Sequence, residues 1–278
     1  MMNIYYENSA GEKLNLLSEP YRLQTGNLFN YAWDYEYKKY SSRVKFTRFY
    51  KHISTVPLTL AITGRSEESY CSAINRFCEV TERDVINNTP GKLYVGEQYL
   101  ECFLTESSKT SWESDITVLD NTVKLISPNP VWITEKHFSF QKKTAKEKIF
   151  EHLDYPYDFP YDLTREQVGL DKIEGGDLSD SHFKLTIYGP AVFPQIIIGG
   201  HIYRVNTVVA EGEYLTIDSR SHEVIRHLID GTKIDEYDNR EHEHSVFKKI
   251  PAGTAEVEWA GSFGWDITLF EERSEPRW

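Results

Sequence analysis

Apolar and polar residues alternate strictly in "VPLTLAITG", where Val56, Leu58, Leu60 and Ile62 share one side of an extended chain. That period of two predicts a half-buried strand. Paired strands with two-residue turns are expected in "KLYVGEQYLECFL", turning at Gly96-Glu97, and in "TVLDNTVKLI", turning at Asp120-Asn121, since glycine and asparagine tolerate positive φ. One segment has the helical period instead. In "GRSEESYCSAINRFCEVTERDVI", Tyr70, Ile74, Phe77 and Val80 recur at spacings of three and four. Ser66 stands as N-cap, and Glu67 and Glu68 fall in the first turn, where the helix dipole favours negative charge. A helix over about residues 66–86 is predicted.

A second block of strands follows residue 180. "SHFKLTIYG" alternates Phe183, Leu185 and Ile187; "PQIIIGGHIYRV" has an apolar arm on each side of Gly199-Gly200; "EVIRHLIDGTKIDEY" turns at Asp230-Gly231. Near the end, "AEVEWAGSFGWDITLFEE" supplies Val257 and Trp259, then Trp265, Ile267 and Leu269. Turn signals every ten to fifteen residues describe a sandwich or barrel rather than a βαβ sheet. The fold class expected is mainly β, with an N-terminal β domain carrying one α-helix and a second, all-β domain. Of the pair Phe263 and Trp265, only one is required to face inward.

Composition narrows the function. The chain has 278 residues, 40% hydrophobic and 27% charged, enough apolar material for two cored domains. A net charge of −12 is the wrong sign for neutralising phosphates, so nucleic acid is not an expected partner. No run approaches the roughly 20 apolar residues of a membrane span, and "MMNIYYENSAGEKLNLL" has no basic start followed by an apolar stretch. A soluble chain made in a cytoplasm is expected, with no membrane partner. Cys71, Cys78 and Cys102 form no Cys-x-x-Cys pair, and packing in the core is the expectation for them. Both methionines sit at positions 1 and 2, which leaves the core to aromatic and branched residues.

Between the two β blocks lies "YPYDFPYDL", residues 155–163. Pro156 and Pro160 remove ladder donors and push Tyr155 and Phe159 toward extended backbone, so this is punctuation rather than a central strand. Tyr155, Tyr157, Phe159 and Tyr161 are too many rings to leave in water on a free linker. They are expected to wedge into a junction and fix the relative orientation of two domains. The alternative is a sugar-stacking platform, with the aspartates taking hydroxyl hydrogen bonds.

Candidate chemistry is sparse. "REHEHSVF" sets His242 and His244 two apart, with Glu241 before and Glu243 between them. On a strand the two histidines would share a face, but a third ligand is not nominated and a solvated loop is the expectation. There is no His-Glu-x-x-His, no Gly-x-Ser-x-Gly elbow, no phosphate-cradling glycine loop and no dinucleotide fingerprint. Any carboxylate pair of a glycosidase would depend on separations in space, and 43 acids make a pair by chance unavoidable. No catalytic residue, cofactor or metal is expected. The profile suits a binding or structural subunit better than an enzyme.

The C-terminal third resembles siphophage distal tail proteins, the tail-tip hub family also found in Gram-positive prophages. The stretches that carry this are "IIIGGHIYRVNTVVAEGEYLTIDSR", "IPAGTAEVEWAGSFGWDITLFEERSEPRW" and "YPYDFPYDL", with "GKLYVGEQYLECFLTESS" and "NPVWITEKHFSF" fitting more loosely. The resemblance implies an N-terminal ring-forming β domain over residues 1–140, a connector over 141–165, and a C-terminal galectin-like β-sandwich over 166–278. It implies a homohexameric ring that continues the tail tube, and partners among the tail tube protein, a tail-associated fibre or lysin-type protein, and receptor-binding or baseplate proteins. The expected location is the virion, at the tail tip, after synthesis in the host cytoplasm. About 115 residues follow the connector, room for one sandwich and no inserted module. Recurrent positions look structural: Gly199 and Gly200 as a turn, Gly253 as a bend, and Trp259 with Phe263 or Trp265 as core.

Two other readings remain open on the sequence. A monomeric carbohydrate-binding protein would expose its surplus tyrosine and tryptophan as a stacking platform, and a glycoside hydrolase would need a carboxylate pair in a cleft.

Overall fold

The computed structural model describes residues 3–109, 117–143 and 171–277. The chain divides into two compact units, Met1–Thr134 with Glu272–Trp278, and Glu135–Glu271. Residues 272–278 group with the first unit; the sequence places them in the domain over 166–278, with its last strands free to pack back on the junction. The aromatic connector lies outside the described residues.

The first unit begins with β1 (Ile4–Glu7), β2 (Lys13–Asn15), β3 (Leu17–Ser18) and β4 (Tyr21–Gly26), all antiparallel to their partners. After the two-stranded β5 (Asp34–Lys39) and β6 (Val44–Tyr50) comes β7 (Ser54–Thr63), then α1 (Glu67–Asn87). The unit is completed by β8 (Gly91–Val95), β9 (Gln98–Lys109), β10 (Val118–Ser127) and the start of β11 (Trp132–Phe140). β7 is a central strand between β4 and β10, and its expected apolar side, Leu58, Leu60 and Ile62, is buried.

The helix forms where its sequence signals stand. Ser66 is the N-cap in a reciprocal capping box: the Ser69 N–H donates to Ser66 Oγ at 3.3 Å and the Ser66 N–H to Ser69 Oγ at 2.9 Å. It stops at Asn88, left-handed at φ 49°, two residues before Pro90. Tyr70, Ala73, Phe77 and Val80 are buried against β9 and β7. Asp84 also points inward, fully buried, and accepts from the Tyr6 hydroxyl at 2.5 Å and the Ser9 N–H at 2.8 Å. Burial, with this acceptor second, pushes the Tyr6 hydroxyl pKa far up. Gly91 has no side chain here because a Cβ would fall on the Tyr6 ring and the Asp84 carboxylate.

Two expectations are corrected in this unit. Asp120-Asn121 is no turn: β10 runs straight through it, and Asn121 pairs with Leu60 on β7 and Lys109 on β9. Asn121 lies on the same face as Leu119, Val123 and Leu125, and its Nδ2 donates to the Leu119 carbonyl at 3.2 Å. Two flanking strands override a weak local turn preference. The expected core packing of the cysteines holds for Cys102 alone; Cys71 is exposed and Cys78 half-buried, because both lie on the same flank of the helix, beside its buried stripe. Burial raises the Cys102 thiol pKa well above its ordinary value, which removes it from thiolate chemistry.

The second unit is a β-sandwich. One antiparallel sheet contains β13 (His182–Tyr188), β18 (Tyr214–Asp218), β19 (Glu223–His227), β20 (Lys233–Asp235) and β22 (Trp265–Arg273), in the order β20-β19-β18-β13-β22. The other runs β12 (Asp171–Glu174), β21 (Thr254–Trp259), β15 (Gln195–Ile198), β16 (His201–Arg204). A short pair, β14 (Ala191–Val192) and β17 (Val208–Val209), completes it. Inward residues of both sheets, among them Phe183, Leu185, Ile217 and Ile267 from the first and Ile173, Ile196, Tyr203 and Val257 from the second, form one core.

Turn chemistry sets the register. Gly199 and Gly200 take φ 57° and 77° between β15 and β16, a backbone that side chains disfavour and that matches the twist of a two-residue hairpin. The turn at Asp230-Gly231 is one residue longer than a pair: the Leu228 N–H donates to the Thr232 carbonyl at 2.9 Å, with Gly231 at φ 86°. Phe263 and Trp265 both face inward, against the expectation that one would suffice. The loop between β21 and β22 folds Phe263 back, so that its carbonyl accepts from Trp259 Nε1 at 3.2 Å.

Candidate functional site

Among the described residues, exposed large hydrophobics cluster on the β5–β6 hairpin of the first unit. Its register is Tyr35 opposite Phe49, Tyr37 opposite Phe46 and Lys39 opposite Val44, with a bulge near Thr47, and the Tyr40 N–H closes the tip on the Arg43 carbonyl at 2.8 Å. Because side chains alternate across a strand, Tyr35, Tyr37, Phe46 and Phe49 project from one face. Glu36, Lys38, Lys45 and Arg48 project from the other.

The four rings pack on each other. Tyr35 meets Phe46 edge-on at 5.2 Å, Phe46 stacks on Phe49 at 5.6 Å, and Tyr35 lies 6.1 Å from Tyr37. Each is 53–57% exposed. With about 200 Å² per aromatic side chain, they leave on the order of 400 Å² of ring surface in water, the upper end of what single chains carry. An isolated two-stranded ribbon is marginal in water. Tyr31, Trp33 and Ile53 extend the exposed apolar area at its base, where the Lys51 ammonium lies 5.0 Å from the Trp33 ring centre. Burial pulls the Lys51 pKa down, against the lifting effect of Glu272.

A hollow lies elsewhere in the same unit. Between α1 and strands β9 and β10 is a groove of about 310 Å³, lined by Phe77, Thr81, Val85, Ile86, Leu104 and Val123. Val85 and Ile86 stand exposed on its rim, at 43% and 78%. The groove's lining also includes Glu82, Thr105, Glu106 and Ser107, so it is mainly apolar along α1 and mixed along β9.

The residues singled out in the sequence contribute less. Tyr155, Tyr157, Phe159 and Tyr161 lie outside the described residues. His242 and His244 fall in a loop rather than on a strand, His242 is exposed, and the structure brings His244 together with Glu241 and Glu243 instead. The hairpin itself carried a readable signal, "DYEYKKYSSRVKFTRFY", two alternating runs about Ser41-Ser42. Alternation gives strands, but not that the aromatic face stays uncovered.

No family model and no curated protein matches the sequence. Solved structures do. The Dit protein of phage SPP1, described as a paradigm of the hub adsorption apparatus in phages infecting Gram-positive bacteria, is 8% identical with a TM-score of 0.62, covering 98% of this chain and 99% of that one. Chains of the phage p2 baseplate in its activated conformation, with strontium and with calcium, are 11% and 10% identical, with TM-scores of 0.65 and 0.63. Each match covers 99% of this chain and 100% of the other. This chain therefore has the fold of phage Dit and baseplate hub proteins.

Proposed function

We propose that this chain is a structural subunit of a phage tail tip, a distal tail protein that closes into a hexameric ring joining the tail tube to the adsorption apparatus. The observation that carries this is the fold likeness over the whole chain to a hub protein and to baseplate chains, reinforced by an uncovered aromatic hairpin of the kind that assembly buries. The role is architectural rather than catalytic. In this reading the β5–β6 aromatic face of one copy seats against the α1, β9 and β10 groove of the next. Because donor and acceptor surfaces lie on different elements the contact is head-to-tail, and its repetition closes a ring where the rotation from copy to copy divides a full turn. Tube and receptor-binding or baseplate proteins bind the faces that remain.

Charge sets the conditions for assembly. Each copy carries −12, so copies repel, while the proposed contact is mainly apolar and less sensitive to screening than that repulsion. Light scattering coupled to size exclusion is expected to show the ring fraction rising as salt increases from about 0.05 M to about 0.5 M, as the Debye length shrinks. A ring fraction that falls over that range would contradict an apolar contact opposed by net charge.

A further inference from the structure

In the second unit, residues 240–245 join the 3-10 turn Tyr237–Asn239 to the buried Val246. The segment is fastened at both ends. Arg240 bridges Val205 and the Glu241 N–H donates to the Arg204 carbonyl at 3.0 Å; at the far end His201 Nε2 donates to the Ser245 carbonyl at 2.8 Å. Between these ties the chain folds so that one ligand atom each of Glu241, Glu243 and His244 lies within 4.8 Å of the others.

Two of those side chains hold atoms with unmet needs. His244 Nδ1 and Glu241 Oε2 are buried and neither has a hydrogen-bond partner. Burying such atoms unpaired costs about 1–3 kcal/mol each, so native structures rarely do it without a ligand or water. His244 Nδ1 is 3.6 Å from Glu241 Oε1, an ion-pair distance too long for a hydrogen bond. It is close to the roughly 3.4 Å that separates two donors on one tetrahedral ion with bonds of about 2.0–2.2 Å. The His201 ring stands 5.8 Å from that of His244, nearly perpendicular, and walls the inner side.

We propose that Glu241, Glu243 and His244 bind one divalent cation of the zinc class. Glu241 and His244 form the inner pair, Glu243 closes from the solvent side, and water takes the remaining position. Imidazole in the ligand set favours zinc over calcium or magnesium, which prefer all-oxygen sites. His242, the residue the sequence pairs with His244, is exposed and stands outside the site. Bound metal would cross-link the bent loop to itself, beside β16.

The test is isothermal titration of the full-length chain, without a polyhistidine tag, with zinc chloride and separately with calcium chloride. One saturable zinc site is expected, with calcium at least about tenfold weaker. Glu243→Gln, at an exposed position that leaves the fold alone, and His244→Ala should each weaken zinc at least about tenfold, by analogy with the loss on disturbing metal shells. His242→Ala should leave it unchanged. Absence of saturable zinc binding, a calcium preference, or binding that survives Glu243→Gln and His244→Ala but is lost in His242→Ala would each overturn the assignment.

Discussion

Replacing Tyr35 and Phe46 together by serine is expected to abolish the ring and leave a folded monomer. Both rings are more than half exposed, and they touch Tyr37 and Phe49 rather than the core of their own unit. Their loss therefore costs the free chain little. In an interface, aromatic anchors of this kind are each worth about 2 kcal/mol or more, so losing two weakens every contact by on the order of 1,000-fold. Ile86→Glu on the rim of the groove should give the same result, because a carboxylate there is buried without a partner in the contact. Mixing the two variants separates a head-to-tail contact from a symmetric one. The intact hairpin of Ile86→Glu fits the intact groove of the hairpin variant, so the mixture should yield heterodimers and nothing larger. Full rings from either variant alone would sink the assigned contact.

Trp265→Ala is expected to lower the stability of the sandwich by about 3–5 kcal/mol, read from the midpoint of denaturant unfolding. Trp265 is fully buried, stacks on Phe140 at 4.1 Å and meets Trp259 nearly perpendicularly at 5.9 Å. Its removal leaves a void that neither neighbouring ring can fill by turning, since Trp259 is tied by its indole N–H to the Phe263 carbonyl. Trp265→Phe should cost only about 1 kcal/mol. The indole N–H of Trp265 is buried without a hydrogen-bond partner, so phenylalanine loses volume but no bond. If Trp265→Phe proved as damaging as alanine, the indole nitrogen would have to hold a bond that this account leaves out.

These two sites mark what was legible in the sequence. Positions whose neighbours along the chain decide their state were readable: the Ser66 cap with its acidic first turn, the Gly199-Gly200 hairpin, and the alternation of Phe183, Leu185 and Ile187. Positions decided by distant strands were not. Asn121 looks like a turn residue and is a central-strand residue, because β7 and β9 flank it on both sides. Of Phe263 and Trp265 the sequence requires only one for the core; Phe263 lies in the loop before β22, and that loop folds it inward beside Trp265. The hairpin rings alternate with charges as a half-buried strand would; that nothing in their own unit covers them is a fact of packing. The Glu241, Glu243 and His244 cluster arises from a bent loop, which no strand or helix period describes.

The central claim is that this chain closes into a ring through one repeated head-to-tail contact, and negative-stain imaging of the purified wild-type chain at high salt tests it most directly. The account predicts closed six-fold particles with a central opening, with the β5–β6 hairpin of each subunit reaching its neighbour. Particles that remain single subunits at every salt and protein concentration, with or without tail tube protein, would contradict it.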